Sequence, residues 1–282
     1  MAPALKLKAE LWETQFIPQL KSIVSVYSRQ VKMMAIKFTE NHLYLISENE
    51  VMSSTSKVWT EIPVRNFFES YELQGVEGHN SLVIRLSSEN LSDSLKSMVQ
   101  GIKLLRLKLR SNEKHAMRPD LCFEYEIGTF GPSRLTKKSI EVELVHPRFW
   151  DRYDEPTLPP FDICCILPDL SQLKSFVDKC KNISSRLEIA IDKEGKMNLT
   201  VQKEGLFIER RFSDIQMQDN DARLSDDALV AVDIKKLNNF FKTVPSNANL
   251  QIFLKIVKER CAHFAFLADQ ISVQFTLPNQ LR

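Results

Sequence analysis

A five-residue string near the start of the chain returns near its middle. Leu20-Lys-Ser-Ile-Val24 is matched by Leu173-Lys-Ser-Phe-Val177, an offset of 153 residues, and Ile36 and Phe38 fall on Ile189 and Ile191 at the same offset. Each string lies where apolar residues recur at helical spacing: Phe16, Leu20, Ile23, Val24 and Tyr27 in the first copy, Leu170, Leu173, Phe176, Val177 and Cys180 in the second. A second helix corresponds as well, with Leu91 and Leu95 in the places of Leu237 and Phe241, each behind a short apolar strand. A repeat of this length is too long for a solenoid and predicts two copies of one α+β domain. The 282 residues fit that reading, at roughly 150 per domain.

The rest of each copy reads as strands. Alternating or apolar runs cover 5–11, 33–38, 42–47, 57–62, 82–86, 102–109, 121–127 and 139–145 in the first half. In the second they cover 161–167, 186–191, 197–202, 206–212, 229–232, 250–257, 261–267 and 271–277. Between the halves, 146–160 holds four prolines and no regular period, and reads as a semi-rigid linker. The expected domains are therefore 1–145 and 161–282, joined by a connector at 146–160. Residues 213–227 are polar and acidic and are expected to form an exposed loop.

Several chemistries are excluded early. Glycine supplies only 7 residues, and no G-x-G-x-x-G or G-x-x-x-x-G-K-[ST] occurs, which removes Rossmann and P-loop enzymes. The five histidines (42, 79, 115, 146 and 263) stand alone, with no H-x-x-x-H spacing. Asp219, Asp221 and the Asp226-Asp227 pair sit in the polar loop without an acid–base partner, and no G-x-S-x-G elbow is present. No catalytic residue, metal or cofactor is assigned. The five cysteines form no C-x-x-C; Cys164 and Cys165 alternate on a strand, one expected to face the core and one the other side. Residues 1–8 lack an apolar signal region and no run approaches 18 apolar residues, so a reducing compartment, cytosol or nucleus, is expected, with no membrane.

The net charge of +2 is too small to argue for any partner, so an interaction with nucleic acid would need locally placed charge. The helix faces supply some. Arg29 lies opposite the apolar side of the first helix with Lys21 at the edge of that face, and Lys96 opposite that of the second. Lys174 and Lys181 lie seven apart on the third, as do Lys235 and Lys242 on the fourth, with Lys179 and Lys236 nearby. Brought to one face, these residues would track phosphates without reading bases. Left apart, they are ordinary solvated faces diluted by Glu13, Asp93 and Asp178.

The chain resembles a known family at Ser88-Glu-Asn-Leu-Ser-Asp-Ser-Leu-Lys96 and Leu173-Lys-Ser-Phe-Val-Asp-Lys-Cys-Lys-Asn-Ile-Ser184. It does so again at Asn66-Phe-Phe-Glu-Ser-Tyr-Glu-Leu-Gln-Gly-Val76, Pro147-Arg-Phe-Trp150 with Glu155-Pro156, and Gly195-Lys-Met-Asn-Leu-Thr200. The family is that of the Hus subunits of the checkpoint clamp, the heterotrimeric nine-one-one ring related to PCNA. The likeness covers nearly the whole chain in order; residues 1–4 look longer than the family's usual start, and 122–138 matches poorly.

The resemblance implies a DNA sliding-clamp fold, with two similar domains, outer antiparallel sheets and four inner helices. It implies a non-enzymatic subunit that encircles double-stranded DNA or primer–template junctions at damage sites without sequence specificity. Lys21, Arg29, Lys96, Lys174, Lys181, Lys235 and Lys242 would then face DNA. Implied partners are two Rad-type clamp subunits, an ATP-dependent clamp loader, and checkpoint-signalling and repair proteins, in the nucleus and cytoplasm. By the same likeness, ring closure uses edge strands at 138–144 (Ile140, Glu141, Val142, Glu143) and 206–212 (Phe207, Ile208, Glu209, Arg210, Arg211). The glutamates and arginines would select partners by charge. Phe149, Trp150 and Tyr153 would either anchor client peptides in a groove beside the connector or pin the connector to its own domain. Leu277 and Pro278 are expected near that groove. Two other readings stand beside this one: a homotrimeric polymerase clamp, and an enzyme or ligand-binding protein on the same duplicated scaffold.

Overall fold

The structure, a computed structural model, describes residues 5–11, 16–48, 56–76, 78–98, 102–112, 115–127, 134–218, 227–244, 250–268 and 270–280. Glu13, Asp219, Asp221, Asp226 and the start of the chain, 1–4, lie outside them. The chain divides into two compact units, residues 1–48 with 59–155, and 49–58 with 156–282.

The first unit contains β1 (Lys6–Leu11), α1 (Phe16–Gln30), β2 (Met33–Phe38), β3 (His42–Ser47), β4 (Lys57–Pro63) and the one-turn helix α2 (Val64–Phe67). It continues with β5 (Ser70–Gln74), β6 (Leu82–Ser87), α3 (Ser88–Lys96), β7 (Ile102–Asn112), β8 (His115–Ile127), β9 (Arg134–Glu141) and β10 (Glu143–Leu144). One antiparallel sheet runs β5-β1-β7-β8-β9 and the other β10-β6-β2-β3-β4. Strand alternation sends Leu7, Ala9 and Leu11 of β1 inward, with Ile36 and Phe38 of β2 and Phe123 of β8, all buried. Tyr27 of α1 is fully buried, and its hydroxyl donates to Leu45 O at 2.6 Å and meets Thr60 Oγ1 at 3.0 Å, fixing the helix to β3 and β4.

The second unit contains β11 (Ile163–Ile166), α4 (Leu170–Cys180), β12 (Arg186–Asp192), β13 (Met197–Lys203), β14 (Leu206–Phe212), β15 (Asp227–Asp233), α5 (Ile234–Phe241), β16 (Ile252–Val257), β17 (Cys261–Ala268) and β18 (Ile271–Pro278). Its strand orders are β14-β13-β12-β15 and β18-β17-β16-β11. These reproduce β4-β3-β2-β6 and β9-β8-β7-β1 of the first unit, strand for strand. Phe240 of α5 seats the core here, stacked on Phe275 at 4.9 Å and ringed by Phe264 and Phe266.

The duplication extends to how strand edges are covered. In the first unit β5 pairs the free side of β1, and β10 that of β6. In the second, the segment at 215–218 does this for β11 (Ile166 N to Gln216 O, Gln218 N to Cys164 O), and the tail does it for β15 (Gln280 N to Ala231 O, Ala231 N to Asn279 Oδ1). Two expectations are corrected here and one is met. The 213–227 stretch is not simply an exposed loop, because Ile215 is buried and its neighbours pair with β11. Cys164 and Cys165 alternate as expected, Cys165 in register with buried Leu254 and Cys164 with Lys255, and both thiols are buried. The connector is not without regular structure: Pro147–Tyr153 forms a 3-10 helix within the first unit.

Candidate nucleic-acid interface

Each unit sets two helices side by side, α1 against α3 and α4 against α5. The starts of α3, α4 and α5 are fixed by capping side chains, which satisfy otherwise orphaned backbone N–H groups. Ser87 accepts from Asn90 N at 3.2 Å, Asp169 from Ser171 N at 2.8 Å, and Asp233 from Lys235 N at 2.9 Å and Lys236 N at 3.0 Å. Leu91 and Leu95 of α3, Leu173, Val177 and Cys180 of α4, and Leu237, Phe240 and Phe241 of α5 are buried, so the opposite faces carry the charge.

The seven basic residues named from the sequence behave differently from one another. Arg29, in the last turn of α1, Lys235, in the first turn of α5, and Lys242, at its C-cap, are exposed. Lys96 pairs with Asp93 at 3.0 Å and Lys181 pairs with Asp178, each one turn back on its own helix; Lys181 lowers the carboxyl pKa of Asp178. Lys21 and Lys174 are half-buried, and each donates to a backbone carbonyl, Met98 O at 2.6 Å and Val244 O at 3.0 Å. Burial lowers the pKa of Lys174. Two further cations reach the helices from strands. Lys138 of β9 bonds Ser97 just past α3, and Arg210 of β14 bonds Gln172 in α4. Both lie on the expected edge strands; alternation with buried Ile140 and pairing with buried Leu199 place them on the helix side.

β9 and β14 each stand at the end of a sheet's strand order. The expected strand at 138–144 is broken: β9 ends at Glu141, Val142 is buried, and Glu143 belongs to β10 against β6. Ile140 is buried too, so neither aliphatic side chain is available to a partner. Glu141 pairs with Arg118 at 3.1 Å, and Glu143 with Arg85 at 3.0 Å, so the acidic side is neutralised internally. On β14, Arg211 pairs with Glu209 at 2.6 Å, Ile208 is half-buried, and Leu206 and Phe207 are 47% and 61% exposed. Leu135 of β9 is 51% exposed. These apolar side chains, rather than the charge pairs, distinguish the two edges.

The aromatic trio at the connector is resolved toward pinning. Trp150 and Tyr153 are buried among Ala35, Ile46, Trp59 and Val83. Trp150 Nε1 donates to Val145 O at 3.0 Å and Tyr153 Oη to Glu48 at 2.9 Å. Burial, with Glu48 alongside, raises the pKa of Tyr153 well above that of free tyrosine. Phe149 is half-buried, its ring covered by the guanidinium groups of Arg148 and Arg152. Leu277 is fully buried in β18 and cannot line a groove. Among the described residues no group of three or more His, Cys, Asp or Glu is placed to hold a metal ion.

Comparison with known proteins gives one consistent answer. The chain is 26% identical over 283 residues to "Checkpoint protein HUS1" of Homo sapiens, covering 97% of this chain and 99% of that one. It is 22% identical over 262 residues to "Checkpoint protein Hus1-like" of Drosophila melanogaster, covering 92% and 93%. Its fold is that of the sliding clamps: the PCNA structure from Thermococcus kodakaraensis superposes with a TM-score of 0.70 at 12% identity, over 97% of this chain and 100% of that one. The family model described as "Hus1-like protein" matches residues 5–280. The chain belongs to the Hus1-like protein family.

Proposed function

We propose that this chain is a non-enzymatic subunit of a heterotrimeric, ring-shaped checkpoint clamp. It encircles double-stranded DNA or a primer–template junction at sites of damage and recruits checkpoint-signalling and repair proteins. Two Rad-type subunits complete the ring, and an ATP-dependent loader places it on DNA in the nucleus. The observation that carries this reading is the duplicated unit, in which paired helices present cations opposite their buried faces. Contacts of this kind meet phosphates without reading bases, and a ring retains DNA topologically, so each can stay weak and allow sliding. Arg29, Lys96, Lys138, Lys181, Lys235 and Lys242 are the DNA-facing set. β9 and β14 are the joining edges, with Leu206 and Phe207 entering the neighbouring subunit and backbone hydrogen bonds extending the sheet.

Light-scattering mass after gel filtration tests it, for the chain alone and mixed with the two partners. A monomer alone and a one-to-one-to-one trimer in the mixture are expected. A trimer of this chain by itself would favour a homotrimeric polymerase clamp. A monomer indifferent to both partners would overturn the assignment.

A further inference from the structure

Lys21 and Lys174 form one bond made twice. They stand 153 residues apart, the step at which the first helices repeat. Their acceptors, Met98 O and Val244 O, stand 146 apart, which is the step from Leu91 to Leu237 and from Leu95 to Phe241 on the second helices. Donor and acceptor therefore each follow the repeat of their own helix, although the two repeats differ in length. Both acceptors are buried, within three residues of the end of α3 or α5.

That placement has a physical reason. Both acceptors lie just beyond a C-cap, Ser97 or Lys242, beside the negative end of the helix dipole, so an ammonium group there is favourable. A lysine also gives up much rotamer freedom to be held in one geometry, so two matching ties are not what free surface lysines adopt by default. Lys96 and Lys181, by contrast, pair locally with acids on their own helices.

We infer that Lys21 and Lys174 are positioning residues of the clamp. Each ties the carbonyl end of the second helix to the first and supports DNA retention by holding that pair, without itself contacting a phosphate. The inference rests on the DNA-facing reading given above, and the test separates the two.

The chain, assembled with its two partners, is titrated with duplex DNA across a range of salt; K21M and K174M are compared with K242M and K96M. The melting temperature of each variant is measured on the chain alone, with K21R and K174R as conservative replacements. A lysine that contacts a phosphate contributes about 0.9 to the slope of log K against log salt, so K242M and K96M should each lower the slope by about that much. K21M and K174M should leave the slope unchanged and weaken binding in parallel at every salt concentration. They should also lower the melting temperature by about 2–4 °C each, largely restored by arginine.

A slope reduced by about 0.9 in K21M or K174M with unchanged melting would overturn the inference. So would a melting shift with no loss of DNA binding while K242M and K96M still weaken it, since the ties would then serve stability alone. If none of the four variants alters DNA binding, the DNA-facing reading fails. The role of the ties in DNA retention fails with it, and only the helix tie itself is then judged by the melting shift and its rescue by arginine.

Discussion

His263 and Thr276 face each other across β17 and β18, with imidazole Nδ1 2.9 Å from the threonine hydroxyl. Phe161 lies over the imidazole and Lys255 is its register partner on β16, so the ring is buried beside a cation. Burial, with a smaller contribution from Lys255, lowers its pKa from 6.5 to about 4. An unfolded histidine takes up a proton near pH 6.5, whereas this one does so only near pH 4. Stability should therefore fall as pH drops through that window and level off below it, by an amount on the order of 3 kcal/mol. Urea unfolding of the wild type and of His263→Gln between pH 7 and 4 should show a flatter profile in the variant.

Trp150→Ala should cost about 3–5 kcal/mol, the range for a buried aromatic truncated to alanine. A tryptophan held free for clients would cost less than about 0.5 kcal/mol. The urea midpoint of the isolated chain distinguishes the two.

Gly195 turns the chain between β12 and β13 at φ +79°, and a Cβ there would lie 2.7 Å from Ile215 O. Its own carbonyl accepts from Ile215 N at 3.0 Å, so the turn holds the segment that covers β11. Gly195→Ala is strained in backbone and in space and should destabilise by about 1–3 kcal/mol. Thermal unfolding checks it, and faster amide exchange at 215–218 should accompany the loss.

Much of this fold is legible in the sequence because inward-facing residues must be apolar at the period of their element. Ile36 and Phe38, and their equivalents Ile189 and Ile191, announce the duplication for that reason. β5 escaped because an edge cover needs backbone groups rather than apolar side chains, and Ser70–Gln74 is largely polar. The 3-10 helix escaped because Pro147–Tyr153 has too few turns to display a period, though Trp150 and Tyr153 are its buried face. At the candidate site, periodicity places Lys21 and Lys174 opposite the core but cannot name the carbonyls they reach, which belong to another helix. Lys138 was legible in principle, two residues before buried Ile140 on one strand.

Phe207→Lys should leave the isolated chain within about 0.5 kcal/mol of wild type, since the ring is largely solvated. Mixed with both partners, the variant should fail to form the closed trimer. Light scattering reads the mass, and an intact trimer would exclude β14 as a joining edge.

The covered edges of β1, β6, β11 and β15 have a further consequence for what the chain can build. Short segments close them, the first two in one unit and the last two in the other. If β9 and β14 are the joints, as proposed above, the chain has a valence of two. A third joint would let chains branch into a network, and a single joint would stop assembly at a pair. Two unlike joints permit only a linear succession of subunits, which closes on itself where the turn at each joint divides a full circle and otherwise runs on as a filament.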